Sequence, residues 1–295
     1  MRVRTWAIAL AALVALCGVA RADDDAPKDG DPFYRLDTKN LFGALEGADV
    51  GEMGDRSIEL ETTGELFKRM GRYDFVEQEA IYEITPTPRL GAEFGVHAFG
   101  QSIRDVDGVN NYSGVDFSGL SNEWRYMLSP RSGPWSVQTT FTVEPQWARI
   151  FEGGVRGQDF TLPFLFILDA EPIERRLYAA VNLSYAPEVL REGDQPWIHA
   201  STLTASGALS WRFTPAAMLG VEADAYNLFD GLAPDSWRGS AFFLGPTFHY
   251  QITEKIDLSG AWTEQLAGGA RGDARALDLA DFTRAQAKLR LEMEF

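Results

Sequence analysis

Cysteine is nearly absent: the chain of 295 residues holds one, Cys17, inside the apolar stretch that opens the sequence. MRVRTWAIALAALVALCGVARA sets Arg2 and Arg4 ahead of an apolar run from Trp6 to about Cys17 and ends on Ala20-Arg21-Ala22, where a signal peptidase needs small residues. Residues 1–22 are therefore expected to be a secretory signal peptide. The run is short for a membrane-spanning helix, and charge follows at once from Asp23. A lipoprotein signal would need a small residue where Leu16 stands. Without this segment no cysteine is left, which excludes an intramolecular disulfide and thiol chemistry. Export without such staples suits a bacterial envelope protein better than a small secreted scaffold.

Positive charge is also in deficit. Of the 27 Lys and Arg residues three leave with residues 1–22, while all 43 Asp and Glu stay, so the formal net charge falls from -16 to -19. Nucleic acid needs a basic surface, and no nucleic-acid partner is expected. No second long apolar run exists, so any residence in a membrane must be by strands. Walker loops, dinucleotide fingerprints and zinc spacings are missing. The pairs Gly153-Gly154 and Gly268-Gly269 read as flexible loops, since no strand-to-helix transition surrounds them. His97 and His249 could titrate near neutrality, but spacing reveals no further ligands. No cofactor, metal site or catalytic residue is expected.

Alternation is what the chain does have. Residues 23–31, DDDAPKDGD, offer nothing to bury. From residue 32 to 54 Phe33, Tyr34, Leu41 and Phe42 stand among glycines and acids without period. Residues 23–54 are read as a segment lying in a lumen or, the preferred reading, as a periplasmic tail. After Asp55 period two takes over, the mark of strands with one apolar and one polar face. SIELETTGELF sets Ile58, Leu60, Thr62 and Leu66 against Glu59, Glu61, Thr63 and Glu65, and KRMGR turns it. The second strand, near residues 73–84, places Val76, Ala80, Tyr82 and Ile84 opposite Glu77, Glu79 and Glu83. The third opposes Leu90, Ala92, Phe94, Val96 and Ala98 to Glu93 and His97. A fourth, about 115–128, carries Leu120, Trp124, Tyr126 and Leu128 against Glu123 and Arg125; a fifth covers 135–145.

FEGGVRGQD reads as a loop before the sixth strand, FTLPFLFIL, which is apolar on both faces and holds Pro163 where a ladder bond should be. Residues 177–185, 202–213, 219–225, 242–250 and 256–263 supply the seventh to eleventh strands. Their polar faces include Arg212, Glu222, Asp224, His249 and Asp257, and Pro246 is a second exception. The longest loop, LAGGARGDARALDLADF, leads to RAQAKLRLEMEF. There Ala285, Ala287, Leu289, Leu291, Met293 and Phe295 share one face, and Arg284, Gln286, Lys288, Arg290, Glu292 and Glu294 the other. Twelve strands joined alternately by tight turns and mostly longer loops predict an all-β fold, a transmembrane antiparallel up-and-down barrel over residues 55–295. Trp135, Trp197, Trp211, Tyr185 and Tyr250 near strand ends fit interfacial girdles. A soluble sandwich or lipocalin-like barrel would show the same alternation with the opposite sense. Small soluble barrels, however, have fewer strands and large inward side chains, whereas the apolar faces here are padded with Ala and Gly.

The ending Leu289-x-Leu291-x-Met293-x-Phe295 resembles the terminal strand signal of Gram-negative outer-membrane barrel proteins, porins among them. The resemblance implies that the barrel-assembly machinery reads this strand and its final aromatic. FSGLSNEWRYMLS, FLGPTFHYQIT and the closing strand also look like a group of proteobacterial barrels of unassigned function, over roughly residues 55–295. Similar alternation occurs in channel-forming barrels and in a loosely related set linked to aromatic-compound degradation. The resemblance implies residence in the bacterial outer membrane and carries over no catalytic motif.

If the apolar faces meet the lipid bilayer, the polar faces line a lumen. The candidate lining is Glu59, Glu61, Glu65, Glu77, Glu79, Glu83, Glu93, Glu123, Arg125, Arg212, Glu222, Asp224, His249, Arg284, Lys288 and Arg290. Closing the barrel brings the last strand beside the first, so Arg284, Lys288 and Arg290 are expected to face Glu59, Glu61 and Glu65. These charges either hold the seam and solvate the interior or orient permeating solutes. The expected function is a passive or weakly selective pore for small solutes. A lipid-modifying enzyme using His199 beside Ser201 and a non-conducting structural barrel are the alternatives; residues two apart on a strand lie about 7 Å from each other, far for a catalytic dyad.

Overall fold

The computed structural model describes Phe33 and residues 36–295; the expected signal peptide and the leader up to residue 31 lie outside the described residues. Fourteen extended segments follow one another: β1 (Arg56–Leu66), β2 (Arg72–Thr87), β3 (Leu90–Arg104), β4 (Tyr112–Ser132), β5 (Val137–Val143), β6 (Gln146–Ile150), β7 (Arg156–Thr161), β8 (Phe164–Ile173), β9 (Leu177–Glu192), β10 (Ile198–Thr214), β11 (Ala217–Asp230), β12 (Trp237–Thr253), β13 (Ile256–Ala270) and β14 (Ala285–Glu294). Every pairing between them is antiparallel.

They form twelve barrel strands, because two strands are each broken once by a proline. β5 and β6 are halves of one strand, separated at Glu144-Pro145, and β7 and β8 are halves of the next, separated at Leu162-Pro163. β4 accordingly pairs with both β5 and β6, and β9 with both β7 and β8. A proline has no N–H to give the ladder. The gap is bridged by the remaining groups: the N–H of Asn122 donates to Pro145 (3.1 Å), that of Glu144 to Pro163 (3.1 Å) and that of Leu162 to Pro187 (3.0 Å). The expected sixth strand is thus two segments, and the fifth continues past Pro145. Pro246 acts more gently. The β12–β13 register passes from Leu244↔Glu264 to Thr247↔Ala261, while Val221↔Pro246 is kept on the other side.

β1 pairs with β14 and β9 with β10, so the sheet closes and leaves no edge. Closure satisfies every strand's backbone inside a medium that offers no water. The two ends of the barrel differ. Turns 88–89, 215–216 and 254–255 are tight and lie at the end where β1 begins and β14 stops; 105–111, 231–236 and 271–284 span the other end. Short periplasmic turns and longer outer loops are the rule for outer-membrane barrels.

Several strands run further than alternation suggested. β9 reaches Glu192 and β11 Asp230, and β7 starts at Arg156 within the expected glycine loop. Gly268-Gly269, read as loop, belong to β13 and face Ala241 and Ser240. A Cβ on Gly268 would stand 2.7 Å from the backbone nitrogen of Asp278, so glycine here permits close approach rather than flexibility.

Sidedness follows the alternation. Ile58, Phe94, Val96, Leu120, Trp124, Leu183, Leu209 and Leu219 are exposed around the outside, whereas Glu59, Glu123, Arg125, Arg212 and Glu222 are buried within. In β14, Met293 is 39% exposed and Arg290 3%. An apolar exterior around a charged interior belongs in a bilayer and would be unstable in water. The protein is a transmembrane β-barrel of the bacterial outer-membrane type, and the outer membrane is its place.

At the seam the register gives Glu59↔Glu292, Glu61↔Arg290, Thr63↔Lys288 and Glu65↔Gln286. Arg290 reaches Glu59 (2.8 Å) and Glu61 (3.0 Å), and Lys288 slants to Glu61 (2.8 Å). Arg284 departs from expectation: it precedes β14, is exposed, and does not face Glu65. Removing one partner of a buried pair costs about 3–5 kcal/mol because the other charge is stranded. Arg290→Met is therefore expected to lower sharply the temperature at which the folded band disappears on unheated-sample gels, and Lys288→Glu to lower it less. Unchanged unfolding in both would count against the seam.

Candidate functional site

The inside of the barrel is not empty. Of residues 23–54, read as a lumen-lying segment or, by preference, a periplasmic tail, the described part 36–54 lies against the inward faces of the strands, not outside as a tail. Leu36, Leu41, Phe42 and Leu45 cluster with Tyr178 and Ala180 of β9, Ala208 of β10 and Met218 of β11. This apolar patch explains why an otherwise charged lumen carries a tyrosine and a methionine at inward positions. Burying such side chains stabilises by about 1.5–3 kcal/mol each, whereas a buried ion pair contributes little net once desolvation is counted. The hydrophobic face therefore holds the segment, and the polar face sets its register.

That polar face is densely bonded. Lys39 pairs with Glu83 and, at 2.6 Å, with Glu93. Asn40 donates to Glu59 (2.9 Å) and Glu292 (2.6 Å). The backbone N–H groups of Ala44 and Leu45 donate to Glu222 (3.0 and 3.1 Å). Arg125 grips the segment by the carbonyls of Gly47 (2.8 Å) and Asp49 (3.2 Å) and by Glu46, with Glu123 at 3.2 Å behind it. Arg131 joins Asp49 (3.0 Å) to Asp169 (2.6 Å). A turn is forced at Gly43, which has φ +83° and whose added Cβ would meet Thr247 at 2.7 Å. Glu83, Glu93, Asp169 and Glu222 all lie near strand ends that border the tight turns, so the segment occupies the tight-turn half of the lumen.

Beyond it, toward the loops, lies a cavity of about 370 Å³. Nine carboxylates line it, from Glu46, Glu59, Glu61, Glu77, Glu79, Glu93, Glu123, Glu144 and Asp159, against Lys39, Lys288, Arg290 and His97. His97 stands between Glu79 (3.0 Å) and Glu77 (3.5 Å), which also accept from Ser121 (2.7 Å) and Ser118 (3.2 Å). At the mouth, loop 271–284 folds inward: Asp278 and Thr283 are buried, and Phe282 packs on Tyr226 and Phe243 at 5.7 and 6.4 Å between centroids.

Of the sixteen candidate lining residues, Glu59, Glu61, Glu77, Glu79, Glu93, Glu123, Lys288 and Arg290 are brought together around this cavity. Glu83, Arg125 and Glu222 serve the lumen segment, Arg212 donates to the carbonyl of Pro215 (3.0 Å), Asp224 is buried, and His249 sits 3.6 Å from Asp257. Glu65 is half-buried near the loop end, and Arg284 is outside the set. Lys39, Asn40, Asp49, Arg131 and Asp169 escaped the sequence reading. The available signal was the pair Leu41-Phe42 in a segment too short and aperiodic to bury them alone.

The enzymatic pair does not assemble. His199 is exposed, while the buried Ser201 hydroxyl donates to the carbonyl of Gly231 (2.9 Å). Among the described residues no group of three or more His, Cys, Asp or Glu could hold a metal ion.

In a chain with Cys17 replaced by serine, Leu45→Cys is expected to resist a water-soluble maleimide while folded and to react in urea. Adding Phe42→Asp should raise the folded-state rate roughly tenfold or more, given the burial it removes. Fast labelling of the single variant would place Leu45 in open water instead.

An outer-membrane channel of Pseudomonas putida F1 aligns over 84% of this chain and 98% of its own, at 14% identity and a TM-score of 0.54. The NanC porin aligns over 81% of this chain and 98% of its own, at 7% identity and a TM-score of 0.49. The first likeness establishes a shared barrel fold. No curated protein matches the chain. A family model that spans residues 35–295 takes in the lumen segment and the barrel as one unit, and the chain belongs to that family, the family of unknown function DUF6662.

Proposed function

We propose that the protein, exported by way of residues 1–22, is a passive, weakly selective outer-membrane pore for small solutes, with a preference for cations. The observation that carries this reading is the cavity of about 370 Å³ inside a closed barrel, lined by nine carboxylates and few cations. Rings of acidic side chains in a water-filled constriction raise the local concentration of cations and exclude anions. The fold shared with the Pseudomonas putida F1 outer-membrane channel supports the reading.

Residues 36–54 favour a second reading, a structural barrel that conducts nothing. Lys39, Arg125 and Arg131 hold the segment across the tight-turn half of the bore. The two readings differ in one measurable quantity.

Refolded protein in planar bilayers under a potassium chloride gradient is expected to give small conductance steps whose reversal potential lies toward that of potassium. Phe42→Asp should enlarge the steps severalfold by loosening the segment. Silence from both proteins would favour the structural barrel, and chloride selectivity would overturn the charge reading.

A further inference from the structure

We infer that the outer wall at the loop end of β2 to β4 carries a binding site for the phosphate of a membrane-lipid headgroup, built on Arg72 and Arg104. Arg72 opens β2, Arg104 ends β3, and the two are direct partners in the ladder. Their neighbours Tyr73 and Ile103 are buried in the barrel. Alternation therefore turns both arginines outward, on the same side as exposed Val76 and Val96.

Two like charges facing each other across a ladder, with Cβ atoms roughly 5 Å apart, destabilise a sheet unless something offsets them. Asp74 offsets only one. Its carboxylate takes Nε and Nη2 of Arg72, both at 2.6 Å. Arg104 has no side-chain hydrogen bond or ion pair among the described residues, and it is exposed. The pair borders an open cavity of about 380 Å³ whose other walls include Ser102, Asn111, Tyr112 and Ser113. Ser102 and Ser113 are partners in the next ladder, so two hydroxyls stand beside two guanidinium groups. The lining itself holds two guanidinium groups and no carboxylate, with Asp74 bound to Arg72 and Asp105 beside Asn111 at its border.

Arginine matches phosphate better than any other side chain does, because its planar fork donates two parallel hydrogen bonds. A phosphomonoester carries about 1.5 to 2 negative charges near neutrality and satisfies both guanidinium groups at once. The occupant is placed by depth. Val76, Val115 and Phe117 are exposed on the same outer face just below the site, where they meet acyl chains. Arg72 and Arg104 thus stand at headgroup level in the leaflet that surrounds the loop end. A dissolved phosphate could reach the same donors, but only a lipid also covers the apolar residues beneath. The site lies on the outer wall and does not depend on whether the lumen conducts.

The test uses the full mature chain refolded into phosphatidylcholine vesicles containing a small fraction of phosphatidic acid, a monoester, or of phosphatidylglycerol, a diester. The thermal midpoint is read as the lipid fraction rises. Phosphatidic acid is expected to raise the midpoint at lower mole fraction than phosphatidylglycerol does. Arg104→Gln should weaken the apparent affinity roughly tenfold, as the loss of one charge-assisted hydrogen bond would, and Asp74→Asn should tighten it. Both variants must keep the parent midpoint in pure phosphatidylcholine, so a folding defect is distinguished from a lost site. A parent with no preference between the two lipids, or an Arg72→Gln, Arg104→Gln double variant that keeps the preference, would overturn the proposal. So would an equal rise produced by inorganic phosphate without phosphatidic acid.

Discussion

Arg290 is where closing the barrel and filling it become one problem. Its guanidinium lies between Glu59 and Glu61 across the seam and donates to the side-chain oxygen of Asn40 in the lumen segment (2.7 Å). A charge buried this deeply must have partners, since an unpaired ion away from water is among the costliest defects a protein can carry. The seam strand, the first strand and the segment at residues 36–54 are therefore set by a shared requirement. Arg125 repeats the theme four strands round the wall, on β4, held by Glu46, Glu123 and two backbone carbonyls.

Charge alone would leave the segment weakly held, because pairing in the interior mostly recovers desolvation. What tips the balance is the small apolar patch on β9, β10 and β11 that receives Leu36, Leu41, Phe42 and Leu45. The lumen is thus divided by chemistry: an apolar floor on one wall, a carboxylate-rich wall on the other, and between them a segment with one face suited to each. Toward the loops the carboxylates are not matched by cations, and there the cavity opens.

Most of the barrel was legible in residues 56–294, because lipid outside and polar side chains inside impose period two on every strand. Where the period fails, the strand boundaries are hidden. FTLPFLFIL looked like one poor strand since Pro163 interrupts the ladder, and only the pairing of β5 with β8 and of β6 with β7 shows two halves of one wall. The extents of β9 and β11 were underread because backbone ladders continue above the bilayer, where no apolar stripe is needed. Glu59, Glu61, Lys288 and Arg290 could be brought together from closure alone. Arg284 could not be excluded that way, since a strand's first paired residue is decided by the loop before it.

Residues 36–54 mark the division most clearly. The sequence by itself determined a twelve-stranded wall with a charged lining, because a bilayer acts on each strand locally and leaves its trace in each. It left open whether residues 23–54 enter the lumen or trail outside it. Lys39 reads as one more solvated lysine until Glu83 and Glu93, from two separate strands, stand around it. Those contacts join residues far apart in the chain and have no period, so only the folded barrel could decide them.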